Sequence, residues 1–225
     1  MESDGDSYGD LSFPGPPMLE TALSLGLALG LRHASDVDHV CAIASLVRSE
    51  QGVRGALKTA LLWSLGHSVT FFAVGGLLVG GGLTVAEAWE PTTELLVAAL
   101  LIWLGVTQWR HAACPPPSGS RPPGPPRARV VIVGVVHGFA GSAGIALLAL
   151  ATFQERIAAF MFLLLFGVGV SGGMVLLTAL LSMPLGFVVR NSERWRFRIL
   201  RTASALSIAL GLWMGASASG LWTLS

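Results

Sequence analysis

The chain has 225 residues, 52% of them hydrophobic and only 12% charged, with a formal net charge of +1. A soluble domain carries charged residues at about 25%, and apolar runs near 20 residues long recur here. The composition excludes a soluble globular enzyme and indicates an all-α, polytopic membrane protein.

Residues 1–17 are acidic and rich in proline and glycine. No basic stretch precedes an apolar one, so they read as a disordered tail rather than a cleaved signal. Six spans are predicted, at about 18–47, 57–81, 93–109, 129–153, 157–182 and 199–221. They divide into a first three-helix repeat (18–109) and a second (129–225), joined by a linker at 110–128.

The first span is overlong and interrupted by Arg32, His33, Asp36, Asp38 and His39. An Asp or Arg at the centre of a spanning helix costs about 2.5 to 3.5 kcal/mol, so Arg32, Asp36 and Asp38 together cost about 8 to 10 if left without partners. On a continuous helix His33, Asp36 and His39, each three residues apart, share one face, with Asp38 off to the side. Imidazole and carboxylate suit a first-row divalent ion such as Ni(II) or Co(II), and the set is too rich in nitrogen for Mg(II) or Ca(II).

His67 in the second span and His137 in the fourth are candidates to complete the coordination, with Ser142 beside His137 in a possible second-half site. Arg32 is expected to pair with Asp36 or Asp38 or to reach toward a helix end, and Ser68 and Ser142 to bond between helices. Cys41 reads as packing, and His111, beside the linker, as uninvolved. The two cysteines, Cys41 and Cys114, form no redox motif.

Twelve of the fourteen Lys and Arg residues fall in three stretches, Arg48 to Lys58, Arg110 to Arg129 and Arg190 to Arg201. By the positive-inside rule these face the cytoplasm. The chain is then a multi-pass protein of the inner membrane with both termini outside. The basic clusters express topology, not nucleic-acid binding.

Seven prolines between Cys114 and Arg127 forbid a helix there. Across that linker, Gly30-Leu-Arg-His33 resembles Gly134-Val-Val-His137, and Leu65-Gly66-His67-Ser68 aligns with Phe166-Gly167-Val168-Gly169. Two halves with an odd number of spans must lie inverted to each other, as in many secondary transporters with mid-membrane sites. Glycines spaced by four, at 26/30, 76/80, 134/138, 169/173 and 211/215, are expected to let helices approach closely.

His33-x4-Asp38-His39 after Arg32, followed by Leu65-Gly66-His67-Ser68, resembles the signature helices of the nickel/cobalt transporter family. The second half, His137-Gly-Phe-Ala-Gly-Ser-Ala-Gly, Phe166-Gly-Val-Gly and Gly173-Met-Val-Leu-Leu, is similar to its short six-span branch, often labelled urease accessory membrane proteins. Longer members carry a later acidic motif; the stretch Gly167 to Gly173 has no carboxylate. The metal site then rests on His33, Asp36, Asp38, His39 and His67, with support from Arg32, Ser68 and His137.

The resemblance implies a secondary transporter of Ni2+ or Co2+ as substrate, with no resident cofactor and no enzyme activity. No phosphate-binding loop is present, so uptake must run on the membrane potential or a similar gradient. Its partners are the ion and the bilayer, with a second copy of the chain or a metallochaperone compatible with the sequence. Rival readings are a metal or anion exporter on the same scaffold, an intramembrane metalloenzyme, and a non-transporting accessory protein.

Overall fold

The computed structural model describes residues 16–47, 52–81, 89–113, 125–153, 155–191 and 193–220, and the only regular secondary structure among them is α-helix. Seven helices follow in order: α1 (Pro16–Ala34), α2 (Val37–Val47), α3 (Val53–Gly81), α4 (Trp89–Ala113), α5 (Arg127–Thr152), α6 (Arg156–Asn191) and α7 (Glu193–Ala218). Residues 1–15 and 114–124, which hold most of the expected tail and linker and Cys114, lie outside the described residues.

Among the described residues, four segments are long and apolar enough to cross a membrane: Val53–Gly81, Pro91–Ala112, Arg156–Ser182 and Phe197–Ala218. Leu61, Leu65, Val69 and Leu77 along α3, and Leu164, Val168, Leu176 and Leu180 along α6, stay exposed. Their spacing of four or eight residues lays an apolar stripe on the outside of each helix, as lipid requires. The chain is a polytopic helical membrane protein. The expected span 129–153 corresponds to α5, which is not among the four, and the expected span 18–47 is two helices.

That split corrects the expectation of one continuous helix through the polar motif. Ser35 N–H donates to Arg32 O at 2.9 Å and Asp36 N–H to His33 O at 3.0 Å, closing α1 with tight three-residue turns; Val40 N–H then donates to Asp36 O at 3.1 Å and opens α2. No proline or glycine breaks the chain there. Short polar side chains compete for the ladder instead: Ser35 Oγ donates to Leu31 O at 3.2 Å and Asp36 Oδ2 takes the His33 Nδ1–H at 2.8 Å. The break leaves Asp38 in the first turn of α2, where the helix dipole favours an anion.

The main packing partners are α3 with α5 and α6, α1 with α6, and α4 with α7. Short α2 touches α3, α4, α6 and α7, and so joins the two parts of the bundle. Glycines set the closest seams. A Cβ at Gly66 would strike the backbone of Val131 and Val135, one at Gly134 the backbone of Trp63 and His67, and one at Gly30 the backbone of Phe166 and Val170. The 76/80 pair departs from expectation: among the described residues nothing lies within 4 Å of a Cβ at Gly76. Phe71 and Phe166 stack at 5.0 Å between centroids in the core.

The expected basic connection near Arg190 to Arg201 is mostly helix, because α6 runs to Asn191 and α7 starts at Glu193. Aromatic rings accept its guanidinium groups: Arg201 lies 4.2 Å from the Phe197 ring centroid and 5.3 Å from that of Trp109. Such amphipathic pairs suit the membrane boundary.

Candidate metal centre

Where α1 ends and α2 begins, four imidazoles converge. The His39 ring centre lies 4.6 Å from that of His33, 5.4 Å from His67 and 4.5 Å from His137. His33 comes from the last turn of α1 and His39 from the first of α2, so the break turns both toward α3 and α5. His67 and His137 sit on those helices at the glycine-lined seam, where a Cβ at Gly138 would strike the His67 backbone. Close backbone approach is what brings the two rings within 6.3 Å of each other.

The carboxylates orient the rings. Asp38 accepts from His39 Nδ1 at 3.2 Å through Oδ1 and from His137 Nε2 at 3.0 Å through Oδ2. Asp36 accepts from His33 Nδ1 at 2.8 Å. An imidazole that donates one N–H to a carboxylate presents the lone pair of its other nitrogen, the arrangement that holds metal-binding histidines. His39 Nε2, His67 Nδ1 and His137 Nδ1 are buried with no hydrogen-bond partner among the described residues. Each such orphan costs about 1 to 3 kcal/mol, a cost that coordination would remove.

Two sets of three have one ligand atom each within 4.8 Å of the others: His33, His39 and His67, and Asp38, His39 and His137. Both contain His39, which is 1% exposed. The donors are three nitrogens in one set and two nitrogens with a carboxylate oxygen in the other, a chemistry suited to borderline transition metals and poor for Mg2+ or Ca2+. The site therefore fits a first-row divalent cation.

Of the residues singled out from the sequence, His33, Asp38, His39, His67 and His137 come together. Asp36 is half exposed and meets the cluster only through His33, outside both sets. Arg32 is exposed and forms no ion pair with either aspartate among the described residues, because the break carries it away from them. It lies in the last turn of α1, the helix-end alternative, where a cation suits the helix dipole. Ser68 Oγ meets Ser171 Oγ of α6 at 2.8 Å. The side chain of Ser142 lies outside the described residues, and Cys41 packs with Val97 and Leu101.

Several neighbours had no signal in the motif. Trp63, one turn before His67 and therefore on the same face, packs on His39 and His137 at 5.5 and 5.7 Å. Phe166 lies 5.5 Å from His33. Both wall the cluster against water. Glu94, Val97 and Met214 share a cavity with the histidines, though each is more than 50 residues from the polar motif.

No protein-family model matches the chain, and no solved structure matches it. It is 26% identical over 185 residues to the urease accessory protein UreH of Bacillus sp. (strain TB-90), covering 77% of this chain and 81% of that one. It is 32% identical over 109 residues to the hydrogenase nickel incorporation protein HupN of Bradyrhizobium diazoefficiens, covering 42% of this chain and 28% of HupN. The chain is thus a homologue of UreH and HupN, in agreement with the nickel/cobalt transporter type that its histidine motifs resemble.

Proposed function

We propose that the chain is a secondary transporter that carries a divalent transition-metal cation, nickel or cobalt, inward across the inner membrane. The observation that carries this reading is the cluster of four imidazoles, three of them with a buried, unpartnered nitrogen, inside a membrane helix bundle. The relatives add to it: one is named for nickel incorporation, the other as an accessory to urease. His33, His39, His67, His137 and Asp38 take the place of hydration water, while Asp36 orients His33.

The transporter has six spans in two inverted repeats, with α1 and α2 together forming the first. Pairwise contacts support this symmetry. Gly66 on Val131 and Val135 has its counterpart in Gly169 on Leu27 and Leu31, and Gly134 on Trp63 and His67 in Gly30 on Phe166 and Val170. Likewise Gly105 on Ser204 and Ile208 mirrors Gly211 on Ala98 and Ile102. Ser68 meets Ser171, its own counterpart, as a pair on the symmetry axis would. These contacts favour matching Gly66 with Gly169, two residues beyond the Gly167 of the sequence alignment.

With the basic stretches inside, both termini lie outside. A dication moving inward gains about 4.6 kcal/mol per 100 mV, enough for roughly three decades of accumulation without ATP. Nickel uptake into proteoliposomes under an imposed inside-negative voltage tests the reading. Wild type should accumulate the ion, and His39→Ala and His33→Ala should lose most of the rate; equal rates in all three would refute it.

A further inference from the structure

A cavity of about 160 Å³ opens beside the histidines. At ~30 Å³ per water it accommodates about five waters, enough for a partly hydrated ion. Its inner wall is His33, Asp38, His39 and His137, and its outer wall is Glu94 and Val97 of α4 with Met214 of α7. His67 does not line it. Two residues that do, His39 and His137, are buried and hold the unpartnered nitrogens described above.

Glu94 and Met214 come together because α4 and α7 run antiparallel. Gly105 faces Ser204 and Ile208, while Gly211 faces Ala98 and Ile102, so the residue numbers run in opposite directions along the seam. Glu94, near the start of α4, and Met214, near the end of α7, therefore fall at the same end of the seam and line one cavity. In the proposed topology that end is the outer one. Among the described residues Glu94 forms no ion pair, and it is exposed.

We propose that Glu94 and Met214 form an outer capture site that holds a divalent transition-metal cation before it reaches the histidines. This rests on the transport reading and adds a binding station to it. The carboxylate attracts the hydrated dication, and the polarizable thioether favours borderline ions such as Ni(II) and Co(II) over Mg(II) and Ca(II). Apolar Val97 beside them limits competing water. The ion then moves across the cavity to Asp38, His39 and His137, shedding water as it goes.

The test is nickel uptake by full-length protein in proteoliposomes, measured against nickel concentration and ionic strength. E94Q should raise the half-saturating nickel concentration about tenfold and flatten its salt dependence. E94D, which keeps the charge, should restore both. E20Q removes an exposed acid from the start of α1, away from the cavity, and should change neither. M214L, nearly equal in volume, should raise half-saturation about threefold, which also decides the matter if E94Q fails to fold. Wild-type kinetics in E94Q and M214L, or an equal shift in E20Q, would overturn the capture site while leaving transport standing. No uptake by wild type would overturn both.

Discussion

His137 donates from Nε2 to Asp38 Oδ2 at 3.0 Å although 99 residues separate them. The same carboxylate holds His39 through its other oxygen. One side chain in α2 thereby fixes two rings from different helices, and its removal frees both. Asp38→Ala should weaken nickel binding about 10- to 100-fold in equilibrium dialysis. In a double-mutant cycle Asp38→Asn and His137→Ala should couple by about 0.5 to 3 kcal/mol; additive effects would show that the bond does not orient the ring.

Coordination of the orphan nitrogens should stabilise the fold. At a nickel concentration a hundred times the dissociation constant, the gain is about 2.7 kcal/mol. It should appear as a rise in the midpoint of thermal unfolding in detergent. Magnesium at the same concentration should give none, and His39→Ala, which removes the residue common to both ligand sets, should abolish the nickel effect.

Acid should oppose binding. A ligating imidazole must be neutral, so each histidine that is protonated in the metal-free protein must lose its proton to the solution when the metal binds. The apparent dissociation constant for nickel should therefore rise as the solution is made more acidic. Isothermal titration in buffers of different ionisation enthalpy counts the released protons directly.

The glycine seams should tolerate substitution unequally. Gly134→Val would drive a side chain into the backbone of Trp63 and His67, costing about 1 to 3 kcal/mol and lowering the unfolding midpoint. Gly76→Ala meets nothing within 4 Å among the described residues and should be neutral or slightly stabilising through helix propensity. On the other seam, Ser68→Ala and Ser171→Ala should couple by about 0.6 kcal/mol, the size typical of hydrogen bonds between membrane helices.

Much of the centre was legible because histidines and acids are conspicuous in an apolar sequence: His33, Asp38, His39, His67 and His137 all stood out by that contrast. The role of Asp36 was not legible. Its three-residue spacing from His33 and His39 puts it on their face only if the helix continues, and the break at Ser35 and Asp36 arises from side-chain bonds without a proline or glycine to announce it. Glu94 looked like one more acid beside an apolar run, since only the antiparallel packing of α4 on α7 brings it to the cavity. Sequence spacing aligned Gly66 with Gly167, whereas the contacts favour Gly169, because a Cβ at Gly169 would meet the backbone of α1 and one at Gly167 the ring of Phe72.

The seams of α3 on α5 and of α1 on α6 bring main chain against main chain, with no bulky side chain interlocked between them at the glycines. Such seams hold the helices at the shortest separation their backbones allow. Since His67 and His137 ride on opposite members of one pair, their 6.3 Å separation is set by the register of α3 on α5, and any shift along that seam would part the two rings without unfolding a single turn.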